Sequence, residues 1–218
     1  MTKGLFITFE GSEGCGKSTQ VELLARRLRA LGHRVRTLRE PGGTPVGEEI
    51  RHTLKHSKNN AAMTAEAELL LMNASRAQLV REVIRPALDA GEIVLCDRFY
   101  DSTTAYQGYG RELDLQMVKK VVDIAVGATR PDLTLLLTVS AEIGEMRRAM
   151  RQSTLPFMRD RIEEADKKFF ERVVKGYEAI ATAERNRVRV LDASGPTENV
   201  CAKIWEFVQP VLPKIGRW

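Results

Sequence analysis

The sequence predicts an α/β sandwich of three layers, a five-stranded parallel sheet flanked by helices. Three observations lead there. Strand-like runs recur at Leu5–Glu10, Val35–Arg39, Ile93–Asp97, Leu133–Val139 and Val188–Leu191. Helical periodicity fills the segments between them, and strands alternating with helices imply parallel pairing with both faces of the sheet covered. A glycine-rich turn follows the first run directly. The chain has 218 residues, of which 43% are hydrophobic and 29% charged, enough for one substantial core. With no internal repeat, low-complexity tract or linker, residues 1–218 read as a single domain.

The first run, Leu-Phe-Ile-Thr-Phe-Glu, is apolar enough for a buried strand. It opens into Gly11-Ser12-Glu13-Gly14-Cys15-Gly16-Lys17-Ser18, which fits G-x-x-x-x-G-K-[ST]. Val21, Leu24, Leu28 and Leu31 then fall at helical spacing, predicting a helix over 17–31. Glycines let successive N–H groups turn into one hollow at a helix N-terminus, where unpaired donors and the helix dipole favour an anion. Lys17 can reach a terminal phosphate and the Ser18 hydroxyl can ligate Mg²⁺. Strand, loop and helix together specify a P-loop NTPase, with Gly11 to Ser18 and the adjacent Thr19 binding the phosphates of ATP.

The second run leads into Arg39-Glu40-Pro41-Gly42-Gly43-Thr44, a rigid turn, and a helix over 46–57 that carries Arg51. A long helix is predicted over 64–89. The third run ends in Asp97-Arg98-Phe99, followed by Ser102, Thr103, Ala105, Tyr106, Gln107 and Gly108, with a helix over 114–126. The fourth leads into a helix over 141–151, and further helices are expected over 162–184 and 197–208. Because ligands in open α/β sheets bind outside the carboxyl ends of the strands, these exits converge on one rim.

Asp97 stands where an acid can support the metal or its waters, so Ser18 and Asp97 form the candidate metal pair. An ion pair with Arg98 is the alternative reading of Asp97. Arg98 and Arg51 point to a second anion, the guanidinium fork being suited to phosphate. A phosphate acceptor is already largely ionised near neutral pH and needs no general base. His33, His52 and His56 fall on a helix end or one exposed turn and read as solvent-facing.

The formal charge of +5 is concentrated at 147–161, where Arg147, Arg148, Arg151, Arg159 and Arg161 face one acid, Asp160. Interrupted by Gln152-Ser153-Thr154-Leu155-Pro156, the segment reads as a lid that closes over phosphates and excludes water. A solvated helix face is the plainer alternative. Aromatic residues make up 6% of the chain and do not interleave with the arginines, which argues against a nucleic-acid surface. The absence of an N-K-x-D segment argues against a guanine-nucleotide switch. No apolar run is long enough for a membrane span, and no signal-peptide pattern opens the chain, so a cytoplasmic protein without a membrane partner is expected. Cys15, Cys96 and Cys201 suggest neither a disulfide framework nor a zinc site.

Gly11–Ser18, Arg39–Thr44, Asp97-Arg98-Phe99, Ser102 and Ala105-Tyr106-Gln107-Gly108 together resemble the thymidylate kinase family, over about residues 5–193. The resemblance implies transfer of the γ-phosphoryl group of ATP to dTMP with Mg²⁺, in a homodimer. It implies Glu13 facing the acceptor sugar, Arg51 and Arg98 on the acceptor phosphate, Arg76 at the thymine edge, Thr103 and Gln107 completing the base contacts, and Tyr106 against the sugar. Family members carry the catalytic arginine either in the cradle or in the lid. Here the cradle has none, which resembles the bacterial type and leaves Arg148, Arg151 and Arg159 as candidates beside Lys17 and Arg98. Where many members place an aromatic ring on thymine this chain has Met72, whose thioether can pack on a base face. Met72 serves equally well as helix core. Another nucleoside monophosphate kinase is the alternative function.

Overall fold

The computed structural model describes residues 4–154 and 166–213, with residues 151–154 as backbone. Five parallel strands, β1 (Leu5–Glu10), β2 (Val35–Arg39), β3 (Ile93–Asp97), β4 (Leu133–Thr138) and β5 (Val188–Asp192), form one sheet in the order β2-β3-β1-β4-β5. All five lie where the strand-like runs predict them.

Side chains alternate across the central strand β1 and divide the core in two. Leu5, Ile7 and Phe9 pack under α1 (Lys17–Ala30) and α9 (Thr197–Val208). Phe6 faces the other way, towards α3 (Ala65–Leu79) and α6 (Leu115–Val126), while Leu136 of β4 meets α8 (Lys167–Ala183) on that same side. Thr8 and Glu10, also on this second face, are fully buried polar residues in an otherwise apolar strand. The chain leaves β1 for the first face and the adjacent β3 for the second. Their loops therefore part, and a crevice opens between the carboxyl ends of β1 and β3.

Helix α2 (Pro45–Lys55) starts on Thr44, whose Oγ1 accepts from the Gly47 N–H at 3.0 Å. The long helix predicted over 64–89 is interrupted: α3 gives way to a π-helical segment, Val80–Ile84, before α4 (Arg85–Asp89). Pro86 lacks an N–H and its ring crowds the carbonyl four residues back, which the wider turn relieves.

A larger departure follows β3. Residues expected only as a strand exit form α5 (Tyr100–Thr103), continued by a π-helical stretch, Thr104–Gly110. Its threonines, glycines and tyrosines show no apolar period, so packing makes this helix rather than propensity. The close approach of α8 is central to that packing. A Cβ at Gly176 would lie 2.9 Å from the Tyr109 ring and 3.0 Å from the Ala105 Cα, so only glycine lets the two helices touch there.

Helix α7 (Ala141–Thr154) runs three residues beyond its predicted end. Helix α8 starts later than expected, on Asp166, whose Oδ1 accepts from the Phe169 N–H at 2.7 Å. His52 and His56 are exposed as expected, but His33 is half-buried. Its N–H reaches back to the Leu28 carbonyl at 3.1 Å, folding it over the end of α1, and burial lowers its pKa. Among the described residues, no helix is long and apolar enough to cross a membrane.

Candidate active site

The glycine-rich loop between β1 and α1 closes on Lys17. The side chain is buried, and its ammonium donates to the Gly11 carbonyl at 3.1 Å and the Ser12 carbonyl at 2.9 Å. Burial and Arg98 oppose its charge, but Cys15, Glu13 and Asp97 outweigh them and raise its pKa. Gly14 has φ 79°, and a Cβ there would meet the Gly144 carbonyl at 2.4 Å. Glycine is thus required where the loop turns left-handed against the first turns of α7, and this contact seats the arginine-bearing helix on the cradle. Cys15 points into the core beneath the loop.

Across the crevice, Asp97 at the end of β3 accepts a hydrogen bond from the Ser18 hydroxyl at 2.5 Å. Two convergent oxygens beside a phosphate cradle fit a small hard cation that keeps most of its waters and takes the rest of its ligands from a nucleotide. Among the described residues no cluster of three or more His, Cys, Asp or Glu side chains could hold a metal by itself.

Arg98 follows with φ 71°, a left-handed conformation uncommon for a residue with a Cβ and found where a site over-determines it. Its guanidinium donates to Glu13 Oε1 at 2.6 Å, Ser102 Oγ at 3.0 Å, the Gly11 carbonyl at 3.1 Å, and the hydroxyls of Tyr106 and Tyr177 at 3.3 Å. Burial works against ionisation of Glu13, but Arg98 and Lys17 hold its carboxyl far below the usual range. The same surroundings, Tyr106 and Glu13 foremost against the cost of burial, raise Arg98 well above an ordinary arginine.

Beyond Arg98 lies a second pocket, walled by Met72, Arg76, Ser102, Thr103, Tyr106 and Gln107. Arg76, only 2% exposed, donates to Glu40 Oε2 at 2.8 Å, Asn73 Oδ1 at 2.9 Å, Thr103 Oγ1 at 2.8 Å and the Phe99 carbonyl at 3.2 Å. Gln107 Nε2 donates to Glu68 Oε1 at 2.7 Å, and Arg111 pairs with the same carboxylate at 3.1 Å. Met72 is half-buried at the pocket wall rather than in the core.

The pocket and the phosphate cleft are continuous, since Glu13, Glu40, Lys55 and Arg98 line both. Thr19 and Arg51 line the cleft, and Arg51 donates to the Pro41 carbonyl at 2.8 Å. Of the arginine cluster, Arg147 and Arg148 reach the cleft wall. Arg147 is tied to the loop after β5, donating to the carbonyls of Ala193 at 2.9 Å and Ser194 at 3.1 Å. Arg148 lies 5.5 Å from the centre of the Phe170 ring. Arg151 is described only as helix backbone, while Arg159 and Arg161 lie outside the described residues.

A phosphate cradle joined to a second pocket through a shared wall of Glu13, Glu40, Lys55 and Arg98 is the geometry of a nucleotide phosphotransferase. Residues 9–204 match the family model described as thymidylate kinase. The chain belongs to the thymidylate kinase family. It is 48% identical over 201 residues to the thymidylate kinase of Syntrophotalea carbinolica, covering 92% of this chain and 93% of that one. It is 47% identical over 210 residues to that of Deinococcus radiodurans, covering 95% and 98%. The crystal structure of thymidylate kinase from Ehrlichia chaffeensis superposes with a TM-score of 0.75 at 30% identity, covering 95% of this chain and 99% of that one.

Membership gives these residues a shared frame, but several that shape the site were not legible beforehand. Glu68, Lys55 and Tyr177 sit in helices with nothing local to mark them. Glu10 carried a faint signal: an acid in a buried apolar strand, directly before the cradle. Its Oε1 accepts from the Phe99 N–H at 2.8 Å and its Oε2 from Ser102 at 2.5 Å and Tyr177 at 3.0 Å. Burial, then the charge of Asp101, pushes its pKa up to about 7.

Proposed function

We infer that the chain transfers the γ-phosphoryl group of ATP to dTMP, giving dTDP and ADP, with Mg²⁺. The observation that carries this reading is the shared wall of Glu13 and Arg98 between the Lys17–Ser18 cradle and the pocket of Met72, Arg76, Thr103, Tyr106 and Gln107. It supports a reading in which two nucleotides lie end to end with their phosphates meeting at Arg98.

The cradle N–H groups and Lys17 hold the β- and γ-phosphates of ATP. A cation at Ser18 and Asp97, when bound with the nucleotide, screens its phosphate charge. Arg98 and Arg51 grip the acceptor phosphate, and Arg76 sets its positive charge at the wall of the base pocket, which favours a pyrimidine 4-carbonyl over the 4-amino group of cytosine. Met72 lies against the base face, and Tyr106 against the sugar. Because the acceptor oxygen is already ionised, the protein moves no proton. Alignment contributes about 7–11 kcal/mol of the barrier. Positive charge at the transferring group contributes about 10³–10⁵-fold.

That charge comes from the lid, through Arg148, Arg151 and Arg159, because the cradle positions Ser12, Glu13, Gly14 and Cys15 carry none. Arg148→Ala or Arg151→Ala should lower kcat much more than it raises KM for ATP; unchanged turnover in every single lid variant would remove this assignment.

The deciding experiment is ADP release with purified protein across dTMP, dUMP, dCMP, dGMP and AMP. A clear preference for dTMP is expected, and preference for any other acceptor would refute the reading. The same preparation should weigh twice the chain mass by light scattering. Support for a homodimer comes from α3 and α6, which pack together and leave Leu70 57% and Ile124 76% exposed.

A further inference from the structure

We propose that Glu10 is a positioning residue for phosphoryl transfer: a buried carboxylate that orients two hydroxyls and one main-chain turn so that Arg98 faces the acceptor phosphate. This rests on Arg98 holding that phosphate.

Three donors converge on Glu10 and none of its own atoms reaches the ligand pocket lining. Ser102 and Tyr177 lie 3.0 Å apart and each has a single hydroxyl hydrogen; the Glu10 carboxylate, an acceptor only, draws those hydrogens to Oε2 at 2.5 and 3.0 Å. Their lone pairs are then left facing Arg98, whose Nη1 donates to both, while the Tyr106 hydroxyl accepts from Nη2. A hydroxyl hydrogen turned towards Arg98 would meet a guanidinium N–H head-on. Glu10 therefore sets the direction of two hydrogen bonds in which it does not itself take part.

The same carboxylate acts on the main chain. The Phe99 N–H donates to Glu10 Oε1, and the Arg98 N–H donates to the Phe9 carbonyl at 2.9 Å, one residue before Glu10. The left-handed backbone at Arg98 is thus pinned on both sides from the end of β1. Side-chain and backbone restraints together fix Nη1 against Ser102 and Tyr177 and leave Nη2 at the pocket wall beside Glu13 and Tyr106.

Glu10→Gln preserves the shape and breaks the logic. If the amide nitrogen faces Ser102 and Tyr177 it donates to them, and their hydrogens turn towards Arg98. If it faces Phe99, two N–H groups oppose each other. Either way Arg98 loses its seat, while the base pocket of Arg76, Thr103 and Gln107 is untouched.

The test, run above about pH 8 where Glu10 is ionised, measures KM for dTMP, Ki for thymidine and kcat in wild type, Arg98→Ala and Glu10→Gln. Thymidine lacks the phosphate, so the ratio of the two affinities reports the phosphate grip alone. The expected result is that Arg98→Ala collapses the ratio, and Glu10→Gln weakens dTMP by about tenfold or more while thymidine stays within about twofold. A merely structural role would weaken both ligands together and would overturn the proposal. A collapsed ratio in Arg98→Ala with a wild-type ratio in Glu10→Gln overturns it while leaving Arg98 on the phosphate. An unchanged ratio in Arg98→Ala removes that premise and the proposal with it. Should Glu10→Gln not fold, Tyr177→Phe and Ser102→Ala carry the test: they delete the oriented lone pairs and must lower the same ratio, or the proposal fails.

Discussion

Lys17→Ala should reduce kcat by about 10³-fold or more while ATP still binds. The ammonium sits at the floor of the cradle, raised in pKa by Cys15, Glu13 and Asp97 against burial and Arg98, so it is charged throughout the working pH range. Two carbonyls hold it where a terminal phosphate would arrive. Loop N–H groups and the dipole of α1 remain in the variant, so much of the ground-state affinity for triphosphate persists. What disappears is a positive charge that follows the phosphoryl group as it transfers. Single-turnover kinetics with an ATP titration separates the two, and a kcat near wild type would show that Lys17 only binds.

Arg76→Ala should cost about 3–5 kcal/mol of stability, because it strands a buried carboxylate. Glu40 is 6% exposed and pairs with Arg76 at 2.7 Å. Its Oε1 already has no hydrogen-bond partner among the described residues. Burial raises the Glu40 pKa, and Arg76 is what opposes that rise. Without the arginine the folded-state pKa climbs further above the unfolded one. The native state then binds more protons than the unfolded state, so the variant's deficit is smallest in acid and grows as pH rises through the folded-state pKa. Urea titrations at several pH values check the sign, and a deficit that grew towards low pH would contradict it. An apolar pair, Arg76→Met with Glu40→Leu, should recover most of the stability and none of the discrimination between dTMP and dCMP.

Much of the architecture was readable locally. The inner strands β1, β3 and β4 are buried on both faces and so must be short apolar runs, and all five strands were found at their predicted places. The cradle was equally plain, since its chemistry demands glycines, a lysine and a hydroxyl at fixed spacing. Helix 100–110 was not legible, because nothing in Tyr-Asp-Ser-Thr-Thr-Ala-Tyr-Gln-Gly-Tyr-Gly shows an apolar period. It exists through its contact with α8, in which Gly176 admits Tyr109. The break at Val80–Ile84 depends on how a single proline is accommodated, for which a pattern has no variable.

The site divides in the same way. Sequence alone singled out the groups expected at the phosphates and their metal: Lys17, Ser18, Asp97, Arg98 and the arginines after residue 146, each announced by its place after a strand exit. Tertiary structure decided how they are held. Arg98 turns left-handed against Glu13, Met72 stands at a pocket wall, Arg147 is committed to the loop after β5, and Glu10 reaches residues 89 to 167 positions away along the chain. Backbone preference and motif spacing act over a few residues and are written where they act. Hydrogen bonds among β1, α5 and α8 come into being only once the sheet order brings those elements together.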